Sequence, residues 1–330
     1  MKRIKLIASG GTISGKGANR LDLKDYRTGY YKGEDLLRQV PEVLNIAQVD
    51  AYELANKSST KMQSSDWLKL KRLVNELLNQ EHYDGIVITH GTNTLEETAY
   101  FLHLTVQSGK PVVIVGAQRP FTALGSDALH NLWIAFKVAI DEQSYDKGVL
   151  VVANNEIHSA REVSKTDTYS LGTFQSGKAG ALGYVSAEHT VLYDRYPTRK
   201  HTFQSVFNDN SNVRNLPEVA IVYSYAGVNE DIINFIVDSG KYSGIVLAGT
   251  GAGRCSQKEE KALKKACQKG IVVVRSSRCF EGRVVPIESF DTFPFITADN
   301  LSPQKARILL MLALTLTDDL SEIQAMFHDY

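Results

Sequence analysis

The sequence predicts an α/β protein: a large N-terminal α/β domain on a mainly parallel sheet, a linker, and a smaller C-terminal α/β domain. Three observations carry this. Short β-rich runs alternate with segments of helical spacing along the chain. Those runs are continuously apolar rather than alternating, the pattern of parallel strands covered on both faces by crossover helices. The rhythm breaks once, over residues 193–217, a polar aperiodic stretch with Pro197, Pro217 and an Asn/Asp/Ser run from 208 to 212. The expected domains are therefore 1–193 and 218–330, with a linker over 194–217.

The expected strands are 4–8, 49–54, 85–89, 112–116, 149–153, 219–223, 244–248 and 271–274. Between several of them helical spacing covers 66–78, 95–106, 127–141, 230–238 and 257–269. Ligands of open α/β sheets bind beyond the carboxyl ends of strands. The loops 9–17, 89–94, 117–121, 154–168, 249–254 and 276–282 are therefore the place for chemistry, and they are rich in hydroxyls, glycine and isolated charges.

Bulk properties exclude several classes. With 330 residues, 43% of them hydrophobic, the chain can bury a sizeable core. Lys plus Arg and Asp plus Glu number 37 each, so no basic excess points to nucleic acid or an anionic membrane. No apolar run approaches the ~18 residues of a membrane span. The start, MKRIKLIA, reads as a first strand rather than a signal sequence. Cys255, Cys267 and Cys279 form neither a CxxC nor a disulfide framework, and a reducing cytoplasmic setting fits. A leader removed beforehand would leave the same trace. The eight His lack HExxH spacing and no GxSxG elbow occurs, so neither a zinc hydrolase nor an α/β-hydrolase is supported, and no metal or organic cofactor is called for.

Two loops stand out. SGGTISGKGAN (9–19) matches most of a phosphate-binding loop, but Gly17 stands where Ser or Thr would hold Mg²⁺, and no amphipathic helix follows. Read instead as a glycine-rich turn, it holds one hydroxyl, Thr12, between Gly10-Gly11 and Gly15. HGTNTLEET (90–98) leaves the third strand and enters a helix. Thr94 and Glu97 have capping-box spacing. Thr92 and Asn93 then precede a helix N-terminus, which favours a developing negative charge. Lys165, in AREVSKTDT, is by itself ordinary loop charge, and Cys255 a lone buried thiol.

Together these stretches resemble the bacterial L-asparaginases and asparaginase–glutaminases, type II-like in sequence. The similarity runs along essentially all 330 residues: ASGGTISG (8–15), GIVITHGTNTLEETAYFLHLT (85–105), KPVVIVGAQRP (110–120), GVLVVANNEI (148–157), AREVSKTDT (160–168) and NLSPQKARILLMLALT (300–315). The resemblance implies an asparaginase-like fold and a homotetramer built as a dimer of intimate dimers. It implies that Thr12 is the nucleophile, forming an acyl-enzyme with release of ammonia, assisted by Tyr26. Thr92 and Lys165 match the second threonine and its lysine partner. Gly11 and Gly91 flank the two threonines, Ser59 matches the serine that holds the substrate carboxylate, and Ala117 offers a backbone carbonyl to the leaving nitrogen. The chemistry is consistent: a threonine hydroxyl needs a neighbouring base, a desolvated lysine can serve, and glycines let backbone amides approach an oxyanion.

Three departures cluster on one substrate group. The family's GTDT reads Gly91-Thr92-Asn93-Thr94 here; the residue after Ser59 is Thr60 instead of Gln or Glu; and the family's GNG in the second domain is Gly251-Ala252-Gly253. The resemblance implies that the missing aspartate binds the α-ammonium and touches the lysine. Glu288 is the candidate for the family's intersubunit glutamate. An unpaired buried ammonium costs about 2–5 kcal/mol. The expectation is thus an amidohydrolase acting on asparagine or on an α-nitrogen-modified asparagine or glutamine. A non-catalytic amide-binding homologue is the alternative, disfavoured by retention of Thr12, Tyr26, Thr92 and Lys165.

Overall fold

The computed structural model describes residues 1–208, 213–288 and 293–330. The chain divides into two compact units, Met1–Ser211 and Asn212–Tyr330. Residues 209–212 of the expected linker lie outside the described residues. The rest of that stretch holds a short 3-10 turn, Thr202–Gln204.

The first unit runs β1 (Lys2–Gly10), the two-residue strands β2 (Lys16–Gly17) and β3 (Tyr26–Arg27), α1 (Gly33–Arg38), β4 (Ala47–Lys57), α2 (Ser64–Asn79), β5 (Gly85–Thr89), α3 (Leu95–Thr105), β6 (Val112–Val115), α4 (Ala128–Ile140) and β7 (Val149–Ala153). It continues with β8 (Glu156–Ser159), β9 (Ser164–Lys165), β10 (Phe174–Gln175), β11 (Gly183–Val185) and β12 (Val191–Tyr193). The eight-stranded sheet has the order β12-β11-β8-β7-β6-β5-β1-β4. Strands β7, β6, β5, β1 and β4 are mutually parallel. A tight turn at Asn154 and Asn155, both at positive φ, then reverses the chain, and β8, β11 and β12 are added antiparallel.

Leu6, Val87, Val113 and Leu150 face one core with Leu36 of α1 and Leu132 and Phe136 of α4. Their alternates Ile88, Ile114 and Val151 are also fully buried, and α2 and α3 pack against each other and reach β5 and β7. Burial on both faces is why these strands read as unbroken apolar runs. From β1 the chain winds outward to β4, and from β5 it winds the other way to β6 and β7. The direction switches between β1 and β5, which is where an open α/β sheet forms its binding crevice.

The second unit has a parallel four-stranded sheet, β13 (Val219–Tyr223), β14 (Gly244–Gly249), β15 (Val272–Ser277) and β16 (Ile296–Thr297), in sequential order. Its helices are α5 (Asp231–Ser239), α6 (Gln257–Gln268), α7 (Pro303–Ala313) and α8 (Leu320–Asp329). Its core gathers Ile233, Ile236, Ile245, Leu247, Leu263 and Val273. The large mainly parallel sheet and the smaller parallel one are those the sequence predicts. No helix is long and apolar enough to cross a membrane, among the described residues.

Candidate active site

At the carboxyl end of β1 the chain turns sharply through Gly10 and Gly11, at φ 94° and 87°. Gly11 has ψ −173°, a conformation open only to glycine. A Cβ on Gly11 would sit 2.4 Å from the Cα of Gly91, at the end of β5. A Cβ on Gly91 would in turn meet the Ser59 hydroxyl at 2.8 Å. The two strand-end loops therefore touch backbone to backbone, with Ser59 against them. Ser9 ties the same tips, its hydroxyl donating to the Thr89 carbonyl at 2.6 Å.

Thr12 opens a single 3-10 turn, Thr12–Ser14, followed by the two-residue β2. No helix follows the glycines, so the phosphate-loop reading has no structural basis. The β2–β3 ribbon pairs Gly17 with Tyr26 and brings the Tyr26 hydroxyl 2.8 Å from Thr12 Oγ1. Gly15 lets the tyrosine ring close in, since a Cβ there would lie 3.0 Å from Tyr26 Cδ2.

Thr92 leaves β5, and its hydroxyl accepts a hydrogen bond from Lys165 Nζ at 2.8 Å. The ammonium also donates to Asn93 Oδ1 at 3.3 Å. Lys165 sits on β9, held by antiparallel pairing with Phe174 of β10. Burial pushes its pKa below the ordinary lysine value, and the negative charge of Asp167 opposes the shift. One turn away, Trp67 Nε1 donates to Thr98 Oγ1 at 2.9 Å, and the Thr98 hydroxyl meets His90 Nε2 at 3.0 Å. The Gly91 carbonyl, 2.8 Å from His90 Nδ1, only accepts, so Nδ1 carries the proton of the neutral ring and Nε2 accepts from the Thr98 hydroxyl. His90 is fully buried and neutral, its pKa pushed down to about 4 by desolvation.

One expectation is corrected here. Thr94 makes no side-chain cap on α3. Its hydroxyl donates to the Ser59 carbonyl at 2.8 Å, and its amide reaches the Ser59 hydroxyl at 3.4 Å. A tertiary acceptor outcompetes the local cap and ties the Ser59 segment to the loop that bears Thr92.

A cleft of about 520 Å³ opens on these groups, lined by Thr12, Tyr26, Thr92, Asn93 and Lys165 together with Leu23, Lys24, Glu96, Gln118 and residues 166–169. All four expected catalytic side chains are thus brought together. Gly11, Gly91 and Ser59 form the packed support just described. Ala117 is buried immediately after β6. Thr60 is exposed, its hydroxyl paired with Ser58 at 2.9 Å, and it does not line the cleft. Glu288 belongs to the second unit and is exposed.

Gln118, Glu96, Asp167 and Tyr169 line the cleft without having been singled out from sequence. The strand-end rule marked the loops holding Gln118 and Asp167, but nothing in their spacing distinguished them from neighbours. The three thiols are free; burial raises Cys255 to about 12 and Cys267 to about 11, so neither is poised to react.

This architecture has counterparts. Residues 3–198 match the asparaginase N-terminal domain family and residues 218–327 the glutaminase/asparaginase C-terminal domain family. The chain belongs to the asparaginase family. It is 43% identical to L-asparaginase 2 of Bacillus subtilis over all of this chain and 87% of that protein. It is 41% identical to L-asparaginase 2 of Escherichia coli, over all of this chain and 94% of that protein. A glutaminase-asparaginase of Pseudomonas fluorescens is 39% identical over all of this chain and 91% of its own length. The crystal structure of a probable cytoplasmic L-asparaginase from Campylobacter jejuni superimposes with a TM-score of 0.97 at 39% identity, covering both chains fully. Family membership makes the chain an amidohydrolase acting on small-molecule amides, and the non-catalytic alternative falls.

Proposed function

We propose that this asparaginase hydrolyses the side-chain amide of asparagine, or of an asparagine or glutamine modified on its α-nitrogen, through a Thr12 acyl-enzyme. The observation that carries the reading is two hydroxyl pairs, Thr12 with Tyr26 and Thr92 with Lys165, each at 2.8 Å and both opening on one cleft. Thr12 Oγ1 attacks the amide carbon as its proton passes to the Tyr26 oxygen and the tyrosine's own proton moves on toward the leaving nitrogen. The carbonyl oxygen takes the negative charge against backbone amides of the glycine loop. The C–N bond breaks, the nitrogen takes a proton, and ammonia leaves. Water then attacks the ester, giving its proton through Thr92 to neutral Lys165; the bond to Thr12 Oγ1 breaks and that oxygen takes a proton back, restoring the Thr12 hydroxyl and the neutral amine. Burial around Lys165 favours that neutral amine. Ser59 holds the substrate carboxylate, and the Ala117 carbonyl meets the leaving nitrogen.

Asn93 puts a neutral amide where a carboxylate would hold the α-ammonium, which favours substrates whose α-nitrogen carries no charge. Free asparagine is the second reading. It is favoured by Asp167, whose carboxylate lines the cleft and is held ionised by the backbone amides of Ser170 and Tyr169. Ammonia release from free and N-acylated asparagine and glutamine separates the two. Release from none of them would refute the proposed reaction.

The assembly we propose is a homotetramer, a dimer of intimate dimers, in which the loop at Ala252 and Glu288 complete a neighbouring subunit's site. The domain limits are those of the sequence, 1–193 and 218–330 around a linker. Light scattering that returns an active monomer would refute this assembly. The cytoplasm is the proposed location, or the periplasm where a leader precedes the chain.

A further inference from the structure

The Thr92 hydroxyl has a second partner. Gln118 follows Ala117 at the end of β6, and its side chain crosses the cleft wall. Its Oε1 lies 3.1 Å from Thr92 Oγ1, and its Nε2 lies 3.2 Å from the Ser170 carbonyl. A backbone carbonyl only accepts, so the amide atom facing Ser170 is the NH2, and the atom facing Thr92 is the oxygen. Thr92 therefore donates its one proton to Gln118, leaving its lone pairs to Lys165.

Both ends of this amide are braced. The Gln118 backbone amide donates to Asp127 Oδ2 at 3.0 Å, and Arg119 donates to Oδ1 at 3.0 Å. Asn131 donates to Asp127 Oδ2 as well, at 3.0 Å. On the other side, Asp167 Oδ1 accepts from the amides of Tyr169 and Ser170, each at 2.7 Å, and this turn presents the Ser170 carbonyl.

We propose that Gln118 is a positioning residue that sets the direction of the Thr92 proton and thereby the protonation balance of Lys165. The inference rests on the hydrolytic reading of Thr92 and Lys165 above. While Thr92 donates to Gln118, its oxygen is turned toward a charged lysine. A neutral lysine needs that same proton, and Thr92 must leave Gln118 to supply it. Gln118 thus favours the ammonium and opposes the effect of burial. It keeps the base protonated until the threonine proton is redirected.

The remaining charged or titratable groups lining the cleft around Lys165 are Asp167 and Tyr169 from its own loop, Lys24 and Tyr26 from the β2–β3 region, and Glu96 from the first turn of α3. All are the same in the variants below, so a shift reports on position 118.

The test measures the titration of Lys165 in two ways, in the wild type, Gln118→Leu and Gln118→Glu. The first is the acidic limb of kcat/KM for ammonia release from L-asparagine and N-acetyl-L-asparagine. The second is competitive acetylation of Lys165 by acetic anhydride across pH, read by mass spectrometry, which requires no turnover. Leucine removes the competing acceptor, so Lys165 should titrate lower by about half to one pH unit, the equivalent of one neutral hydrogen bond. Glutamate keeps the acceptor and adds an anion, so Lys165 should titrate higher by about one unit or more. Identical titration in all three proteins overturns the proposal, as does a rate loss equal at every pH. If no amide is hydrolysed, the functional reading fails, and the acetylation profile still decides the role of Gln118. If Gln118→Leu does not fold, the near-isosteric Gln118→Glu carries the test.

Discussion

Asn93→Asp places a carboxylate where the Lys165 ammonium now meets an amide oxygen at 3.3 Å. At that separation two unit charges attract by about 5 kcal/mol at an effective dielectric of ~20 and about 1.3 kcal/mol in bulk water. Asn93 is exposed and Lys165 only partly buried, so screening puts the net effect nearer the lower bound, about 1–3 kcal/mol. The sign follows from which form of lysine is stabilised. The new anion favours the ammonium, so the pKa of Lys165 rises by about 1–2 units. The neutral amine is then scarcer at any given pH, and the acidic limb of kcat/KM moves to higher pH by the same interval. The same carboxylate meets the α-ammonium of free asparagine with a charge-assisted hydrogen bond worth about 1.5–3 kcal/mol. Substrates with an acylated α-nitrogen gain nothing and lose some affinity, because a carboxylate is desolvated without a partner. The assay is the pH profile of ammonia release and the ratio of kcat/KM for free over N-acetyl-asparagine, in both proteins. An acidic limb that does not move refutes the electrostatic argument. An unchanged ratio, or a wild type already as good on free asparagine as the variant, refutes the role of Asn93 in substrate choice and assigns the α-ammonium to another acid, Asp167 or Glu96 of the cleft or Glu288 of a neighbouring subunit.

Thr12→Val should lower turnover by several orders of magnitude with a near-native melting temperature, since it removes the attacking oxygen and conserves shape; near-normal ammonia release would sink the nucleophile. Tyr26→Phe removes the 2.8 Å partner of Thr12 and should lower kcat about 100-fold or more, with a smaller change in KM. Gly11→Ala forces a side chain into a glycine-only conformation 2.4 Å from a backbone carbon and should cost about 2–4 kcal/mol in denaturant unfolding. His90 has a folded pKa of about 4 against 6.5, so its depressed value gives stability that is full above pH 6.5 and lost as pH falls toward 4. The loss is about 3 kcal/mol by pH 4, and His90→Gln should flatten that part of the stability–pH curve.

The parallel core of both units was legible because strands buried on both faces leave unbroken apolar runs, as in GIVIT and VLVVA. The antiparallel additions β8, β11 and β12 were not, since strands of three or four residues at a sheet edge carry too little pattern. Helix α7 entered only within the family stretch 300–315 and α8 not at all, although Pro303 at the start of α7 is a helix-start signal. In the site, Thr12 and Thr92 stood out because each hydroxyl follows an apolar strand, one held between glycines and the other just before a helix N-terminus. Gln118 and Asp167 did not, because their significance lies in which atom faces a carbonyl or an amide across the cleft, and spacing along the chain carries no trace of that. The Thr94 cap failed for the same reason, its competitor being Ser59, thirty-five positions earlier.

The contact between Gly11 and Gly91 has an evolutionary consequence. It admits no side chain at either position, so the spacing of the two hydroxyl-bearing loops cannot drift by substitution there. The groups that would face a substrate's α-nitrogen are of another kind: Asn93, Asp167 and Tyr169 are exposed side chains on turns, where replacements are tolerated. The framework of the site is thereby fixed while its charges stay open to change. A single exchange at 93 or 167 leaves the glycine contact intact and acts at once on the charge facing the substrate and on Lys165, which Asn93 touches at 3.3 Å and Asp167 influences by its charge.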